Sequence, residues 1–285
     1  MIRGLYIAQS GMHSNERMQE VLSNNISNAN TVGYKGDTSV VRSFPDELLY
    51  RMNDTLTGGP GGNNRKIGTL NNGAFVEEVV PRFVQGQLVA SDNPHARAII
   101  DSPPTDSNDF RRAFFPVLER NSGKVMYTRD GDFQVEPGTN FLVDSGGNYV
   151  LPVNSQTHNA VNDARIQVGS DGAYAVTDAT GRAYQIPQAL RGSTNAEGIV
   201  YLQDSNKLEK YGDTLYQGGT VITDNAQYGQ LSSQMVSKQL EQSNVDMASS
   251  MVSMIQVMRS YEANSRMIKT LDGSLEKAVS IGRLT

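Results

Sequence analysis

The sequence predicts an α+β chain: a mainly β central domain, irregular and sandwich- or barrel-like, flanked by N- and C-terminal helices that pack together as a coiled coil. Two patterns predict it. Apolar residues recur at alternating four- and three-residue steps near both ends, while the middle breaks into short alternating runs punctuated by Asp-Gly, Gly-Gly and Ser-Asp-Gly. Composition agrees, since 27 glycines and only 19% charged residues suit many turns between short strands. A chain of 285 residues has room for one large domain or two modest ones.

The first element is read from Met1, Leu5, Ala8, Met12, Asn15, Gln19, Leu22, Ile26 and Ala29, a heptad-type row with two polar interruptions. It predicts a helix over residues 2–26. Gly11 costs it about 1 kcal/mol relative to alanine, which is tolerable where another backbone must approach closely. The helix runs out in LSNNISNANTVGYK, where Asn24, Asn25, Asn28 and Asn30 precede Gly33, Tyr34 and Lys35. Asparagine tolerates left-handed backbone and caps carbonyls, so this stretch is expected to end the helix and turn the chain outward. In a close-packed assembly its amides are also expected to bond across subunits.

After the turn, SVVRSFPDELLYRM reads as an extended stretch leading to a short helix. TLTGGPGGNNRKIG (55–68) reads as a mobile loop without a packed element. Then KVMYTRDGDFQV, NFLVDSGGNYVLPV, ARIQVGSDGAYAVTD and GIVYLQDSNKLEKYGDTLYQ give hairpin signals at roughly ten-residue spacing, the pattern of a β domain. No repeat is visible.

The last element is the strongest. Met247, Met251, Met254, Met258, Tyr261, Ser265, Ile268, Asp272, Leu275 and Val279 follow the four-three alternation, and Val252, Ile255, Met267, Leu271 and Ala278 flank them. The apolar face is therefore wider than one partner needs. Ordering each residue costs roughly 1–2 kcal/mol of backbone entropy, against roughly 1.5–3 kcal/mol returned per buried large apolar side chain, so an uncovered face is not self-supporting. Such a helix would run to roughly 50–60 Å and project from its domain. The N-terminal helix covers one side; other subunits are expected to cover the rest. A membrane surface is the weaker alternative, because Lys and Arg do not edge the apolar face. Boundaries are expected near residues 34 and 230: 1–34 helix and turn, 35–230 β domain, 231–285 C-terminal helix.

Chemistry is sparse. The formal charge of −5, with scattered Lys and Arg, disfavours nucleic acid. No cysteine is present, which removes disulfides and thiolate metal sites. His13, His95 and His158 stand in unrelated contexts, with no HExxH and no Gly-x-Ser-x-Gly elbow. The Gly123-Lys124 pair in ERNSGKVMY lacks the upstream glycine of a phosphate loop and reads as a hairpin turn. Asp130 with Asp132, and Asp46 with Glu47, are acid pairs of the kind a glycosidase uses, but solvated turns explain them better. The DGD and DSGG runs do not continue into a calcium-ligand series. No cofactor, metal or catalytic set is expected. No segment approaches the ~20 apolar residues of a membrane span, and the N-terminus lacks a signal-peptide core.

GLYIAQSGMHSNERMQEVLSNNISNANTVGYK and LEQSNVDMASSMVSMIQVMRSYEANSRMI resemble the N- and C-terminal signatures of the bacterial flagellar basal-body rod and hook protein family, distal-rod type. FVQGQL, YTRDGDF and LEKYGDTLY are shorter matches, whereas HARAIIDSPPTDSNDFRRAFF replaces the family's usual pattern over 95–114. The resemblance implies a non-enzymatic axial subunit, exported without a cleaved signal through the flagellar type III apparatus. It would self-assemble into a hollow tube beside other rod and hook proteins. The assembly residues expected on helix seams and turn are Leu5, Met12, Leu22, Asn24, Asn25, Ile26, Asn28, Asn30, Gly33, Tyr34, Met247, Met251, Met254, Ile255, Met258, Tyr261, Asn264 and Ile268. A hook subunit of the same family, a cell-wall hydrolase carrying a rod-like module, and an adhesin with a coiled-coil stalk are the alternatives.

Overall fold

The computed structural model describes residues 2–51, 65–101, 110–154, 159–169, 172–178, 194–195, 198–223 and 233–282. Helices stand at the two ends and strands fill the centre, so the chain is α+β. Its contacts resolve into two compact units, both discontinuous in sequence: residues 1–26, 37–80 and 247–285 form one, and residues 27–36 and 81–246 the other.

The helical unit contains α1 (Ile2–Ser27) and α2 (Met247–Gly282). They run antiparallel, since contacts ascend one helix as they descend the other. A Cβ on Gly4 would stand 3.2 Å from Leu271 Cδ1, one on Gly11 would stand 2.7 Å from Asn264 Nδ2, and Asn15 Nδ2 donates to Ser260 Oγ at 3.1 Å. Small residues at 4, 8 and 11 are what let the partner come close; Ala8 is buried. At Gly11 the close neighbour is a side-chain amide rather than the expected backbone. On α2 the half-buried positions include Ser250, Met254, Val257, Tyr261, Asn264, Ile268, Leu271 and Leu275, in strict four-three order. The row read from sequence instead carried Met247, Met251 and Met258, all exposed. An apolar face this wide permits two neighbouring rows, and the small residues of α1 select between them.

The same unit holds two strand pairs: Asp37–Ser43 with Ala74–Pro81, and Glu47–Arg51 antiparallel to Arg65–Leu70. The short helix expected after SVVRSFP is thus a strand. Five residues are too few for periodicity to separate the two states, and the facing strand supplies the backbone partners that decide it. The loop expected at 55–68 lies largely outside the described residues; its end, from Arg65, is strand. Phe44 and Phe75 stack across the first pair with centroids 5.1 Å apart. Asn71 closes the turn, donating to Phe44 O at 3.0 Å and Asp46 Oδ1 at 3.1 Å and accepting from Gly73 N at 2.9 Å.

The β unit is built on the strand Arg112–Leu118. Antiparallel partners flank it on both edges: Val125–Thr128 and then Leu215–Gln217 on one side, Tyr149–Val150 and then Leu142–Val143 on the other, with Val200–Leu202 also pairing along it. Both faces of this strand are buried, which is why RAFFPVL reads as a continuous apolar run. Phe115 and Val117 enter a core with Ile99, Met126, Leu142 and Ile166, while Phe114 faces a second with Phe83, Leu202 and Tyr216. The expected hairpins form. Glu119 N bonds Lys124 O at 2.9 Å in the Gly-Lys turn, Asp144 N bonds Asn148 O at 2.9 Å in the DSGGN turn, and Gly169 N bonds Ala173 O at 2.8 Å between Ala164–Val168 and Tyr174–Asp178. Within the stretch where the family pattern is lost, Arg97–Ile100 is a strand paired with Gln234–Ser237.

Candidate functional site

Two features concentrate the residues singled out by sequence: the open side of α2, and the junction where the asparagine-rich turn meets the C-terminal signature.

On α2, among the described residues, no side chain is buried. Met254, Tyr261, Asn264 and Ile268 are half-buried on the row that contacts α1, and Tyr261 Oη donates to Glu16 Oε1 at 3.3 Å. Met247, Met251, Ile255 and Met258, with Val252, form a second stripe that stays open: Val252 is 55% and Ile255 50% exposed. These large apolar side chains thus stand at helical spacing on one exposed stripe of the helix. On α1, Leu5, Met12, Leu22 and Ile26 are half-buried, and Tyr6 and Ile7 are exposed.

The four asparagines divide. Asn25 is buried, and its side chain pairs with Asp37 as a strand backbone would, donating Nδ2 to Asp37 O at 2.8 Å and accepting from Asp37 N at 2.8 Å. Asn28 shapes the turn: its carbonyl accepts from Thr31 N at 3.2 Å, its Oδ1 accepts from Thr31 Oγ1 at 3.0 Å, and its Nδ2 donates to Asp213 Oδ1 at 3.3 Å. Asn24 and Asn30 are exposed. Asn25 and Asn28 therefore have partners inside the chain. None of the four adopts the left-handed conformation the sequence suggested; that role falls to Gly33, at φ 70°.

Gly33 leads into a buried junction. Its N–H donates to Glu241 O at 2.7 Å, and a Cβ there would intrude on the Arg129–Asp130 peptide. Tyr34 is 1% exposed, with Lys210 Nζ 4.0 Å from its ring centre. Lys35 follows, wholly buried, donating Nζ to Glu241 Oε1 at 2.6 Å and to Val84 O at 2.9 Å. Glu241 Oε1 also accepts from Gly86 N at 2.9 Å, and its Oε2 lies 3.5 Å from Arg129 Nη1. Arg129 is itself buried, donates Nη2 to both oxygens of Asp101 at 2.9 and 2.8 Å, and rests on the Phe114 ring at 5.1 Å. Two cations and two carboxylates thus balance in a low-dielectric setting. Burial pushes the Lys35 ammonium below its ordinary pKa and Arg129 pushes the same way, while Glu241 opposes both.

Asn244 completes the junction: its Oδ1 accepts from Gly36 N at 2.8 Å, and its Nδ2 donates to Arg82 O at 2.6 Å and Val84 O at 3.1 Å. Sequence reasoning matched Lys35, Arg129, Glu241 and Asn244 to family motifs yet gave them no role. Nothing local announces that a lysine after Gly-Tyr has its counter-ion 206 residues away.

The acids depart from the solvated turns the sequence suggested: Glu47 opens the strand Glu47–Arg51, and Asp130 lies inside the β unit. Asp130 is buried, with one oxygen accepting from Asp132 N at 3.0 Å and the other from Ser145 Oγ, and burial raises its carboxyl to about 6. Asp132 accepts from Asn93 Nδ2 at 3.0 Å. His95 Nδ1 pairs with Tyr174 Oη at 2.7 Å, His13 is exposed, and His158 lies outside the described residues. Among the described residues no acid or histidine cluster could hold a metal, and no helix is long and apolar enough to cross a membrane.

Comparison with known proteins converges on these elements. Residues 5–35 match the model of the flagella basal body rod protein, residues 112–202 that of the flagellar hook protein FlgE/F/G D1 domain, and residues 236–281 that of the flagellar basal body rod FlgEFG protein C-terminal region. The chain is 30% identical to the flagellar hook-basal body complex protein FlhO of Bacillus subtilis, over the full length of both. It is 28% identical to the flagellar basal-body rod protein FlgG of the same organism, covering 99% of this chain and all of the relative. FlgG of Borreliella burgdorferi is 27% identical at the same coverage. The junction residues and both helices lie within regions these matches share, and the chain accordingly belongs to the flagellar basal-body rod and hook protein family, which is a family of structural proteins and not of enzymes.

Proposed function

We propose that this chain is a structural subunit of the flagellar rod in the basal body, polymerising through its terminal helices into a hollow helical tube that carries torque from motor to hook and lines an export channel. The observation that carries the reading is the open stripe of Met247, Met251, Val252, Ile255 and Met258, which α1 leaves uncovered. Covered by sister copies, it would turn the antiparallel α1–α2 pair into part of a coiled-coil wall. Leu5, Met12, Leu22 and Ile26 would pack on that wall, and the exposed Asn24 and Asn30 would lie at the surface toward neighbouring copies. Its partners are copies of itself, adjacent rod and hook proteins, and the flagellar type III export machinery, which would deliver it without a cleaved signal.

The relative named as a hook-basal body complex protein favours one second reading, a subunit nearer the hook; the same assembly surface serves both. The test is the double variant Met251→Ser/Ile255→Ser. Exposed positions of this kind change monomer stability by within about 0.5 kcal/mol, so thermal unfolding stays put while tube formation, followed by light scattering and electron microscopy, is lost. Tubes that form as readily as those of the parent overturn the reading.

A further inference from the structure

Motifs far apart in the chain close on one late segment. The strand Arg97–Ile100 pairs with Gln234–Ser237 and the strand Leu88–Ala90 with Gln239–Glu241, and among the described residues neither has a second strand beside it. Further bonds stitch the same edge: Lys238 N to Ala96 O at 2.8 Å, Ser91 N to Lys238 O at 3.0 Å, and Gln242 N to Gln87 O at 2.9 Å. Glu241 adds the charge. Without it, Lys35 and Arg129 would share Asp101 alone, leaving one cation uncompensated where the closed unit exposes none of either side chain. The edge at 85–100 would also lose backbone partners that a buried segment requires.

We propose that segment 233–245, acting through Glu241, is the closing latch of the β unit: the core strands Arg112–Leu118, Val125–Thr128 and Val200–Leu202 hold their native fold only once it docks. A chain that emerges N-terminus first therefore stays open until roughly five-sixths of it has appeared, whether or not the helices later polymerise. The latch explains why residues of the N-terminal turn, the central YTRDGDF run and the C-terminal LEQSNVD run converge on one buried point. Lys35 lacks its carboxylate until Glu241 arrives, and Arg129 then has Glu241 beside the Asp101 it already holds.

The test compares hydrogen exchange in full-length Glu241→Leu and Lys35→Met/Glu241→Leu, each against the parent. The single variant is expected to lose protection together across Arg112–Leu118, Val125–Thr128 and Val200–Leu202, with the opening equilibrium raised on the order of a thousand-fold. The double variant keeps the neutral Arg129–Asp101 pair and recovers most of that loss. A single variant that cannot be obtained folded, beside a double variant that can, is the same result in stronger form. Exchange confined to 33–36, 85–100 and 233–245, with the core strands unchanged, overturns the proposal. So does a double variant no better than the single.

Discussion

Replacing Gly33 by alanine isolates the tightest point of the junction. Its φ of 70° is left-handed, which costs an L side chain roughly 1–2 kcal/mol. The added methyl would also come within 3.0 Å of the Arg129–Asp130 backbone, where no flexible side-chain end can yield. Relieving that overlap means lengthening the 2.7 Å bond from Gly33 N to Glu241 O, worth about 0.5–1.5 kcal/mol. Together these give a loss of about 3 kcal/mol. For a domain of this size each kcal/mol lowers Tm by roughly 2–4 °C, so a fall of about 10 °C is expected by calorimetry or circular dichroism. Gly123 supplies the control, because its φ of 64° is nearly the same but a Cβ there meets nothing within 4 Å. Gly123→Ala should cost only the conformational share, about 1–2 kcal/mol. Equal losses for the two variants would refute the steric account of the junction.

Stability should also depend on pH through Asp130. Burial, with small contributions from Asp144 and Asp132, raises its carboxyl from 3.8 to about 6 in the folded chain, so the folded state binds the proton more tightly than the unfolded one. That contribution is complete below the unfolded value and is lost as pH rises through the folded one, so Tm should fall between roughly pH 4 and 6 and level off above. Asp130→Asn should flatten this part of the profile; an unchanged slope in the variant would assign it to another group. Asn25→Ala removes both bonds to Asp37 and should cost about 1–2 kcal/mol of helical-unit stability, read as faster hydrogen exchange at residues 37–40. Exchange there at the parent rate would show that water replaces the amide without penalty.

What could be read from sequence is what is periodic. The helices over 2–27 and 247–282 follow from four-three spacing, and the hairpins at 118–125 and 143–149 from Gly-bearing turns, because both signals are local. Which row of α2 meets α1 is not local. Met251 and Met254 look alike in the sequence, and only the small residues at Gly4, Ala8 and Gly11 on the other helix decide that Met254 faces inward. The asparagine run was legible as a turn, but its left-handed residue was assigned to asparagine rather than to Gly33. The reason lies in the Arg129–Asp130 backbone, nearly a hundred residues downstream. Lys35 and Glu241 are the extreme case: a buried pair has no sequence signature, since each charge taken alone reads as surface.

Asn244 has a consequence for how the β unit tolerates insertion. Its amide touches Arg82 and Gly36 at once, so the stretch between residues 82 and 244 begins and ends at the same place. A segment with coincident ends behaves as a cassette: its length can change, or another module can be spliced into its outer loops, without displacing the leads on either side. The grafting of foreign binding modules by design is easiest inside that bracket and hardest within the few residues that form it.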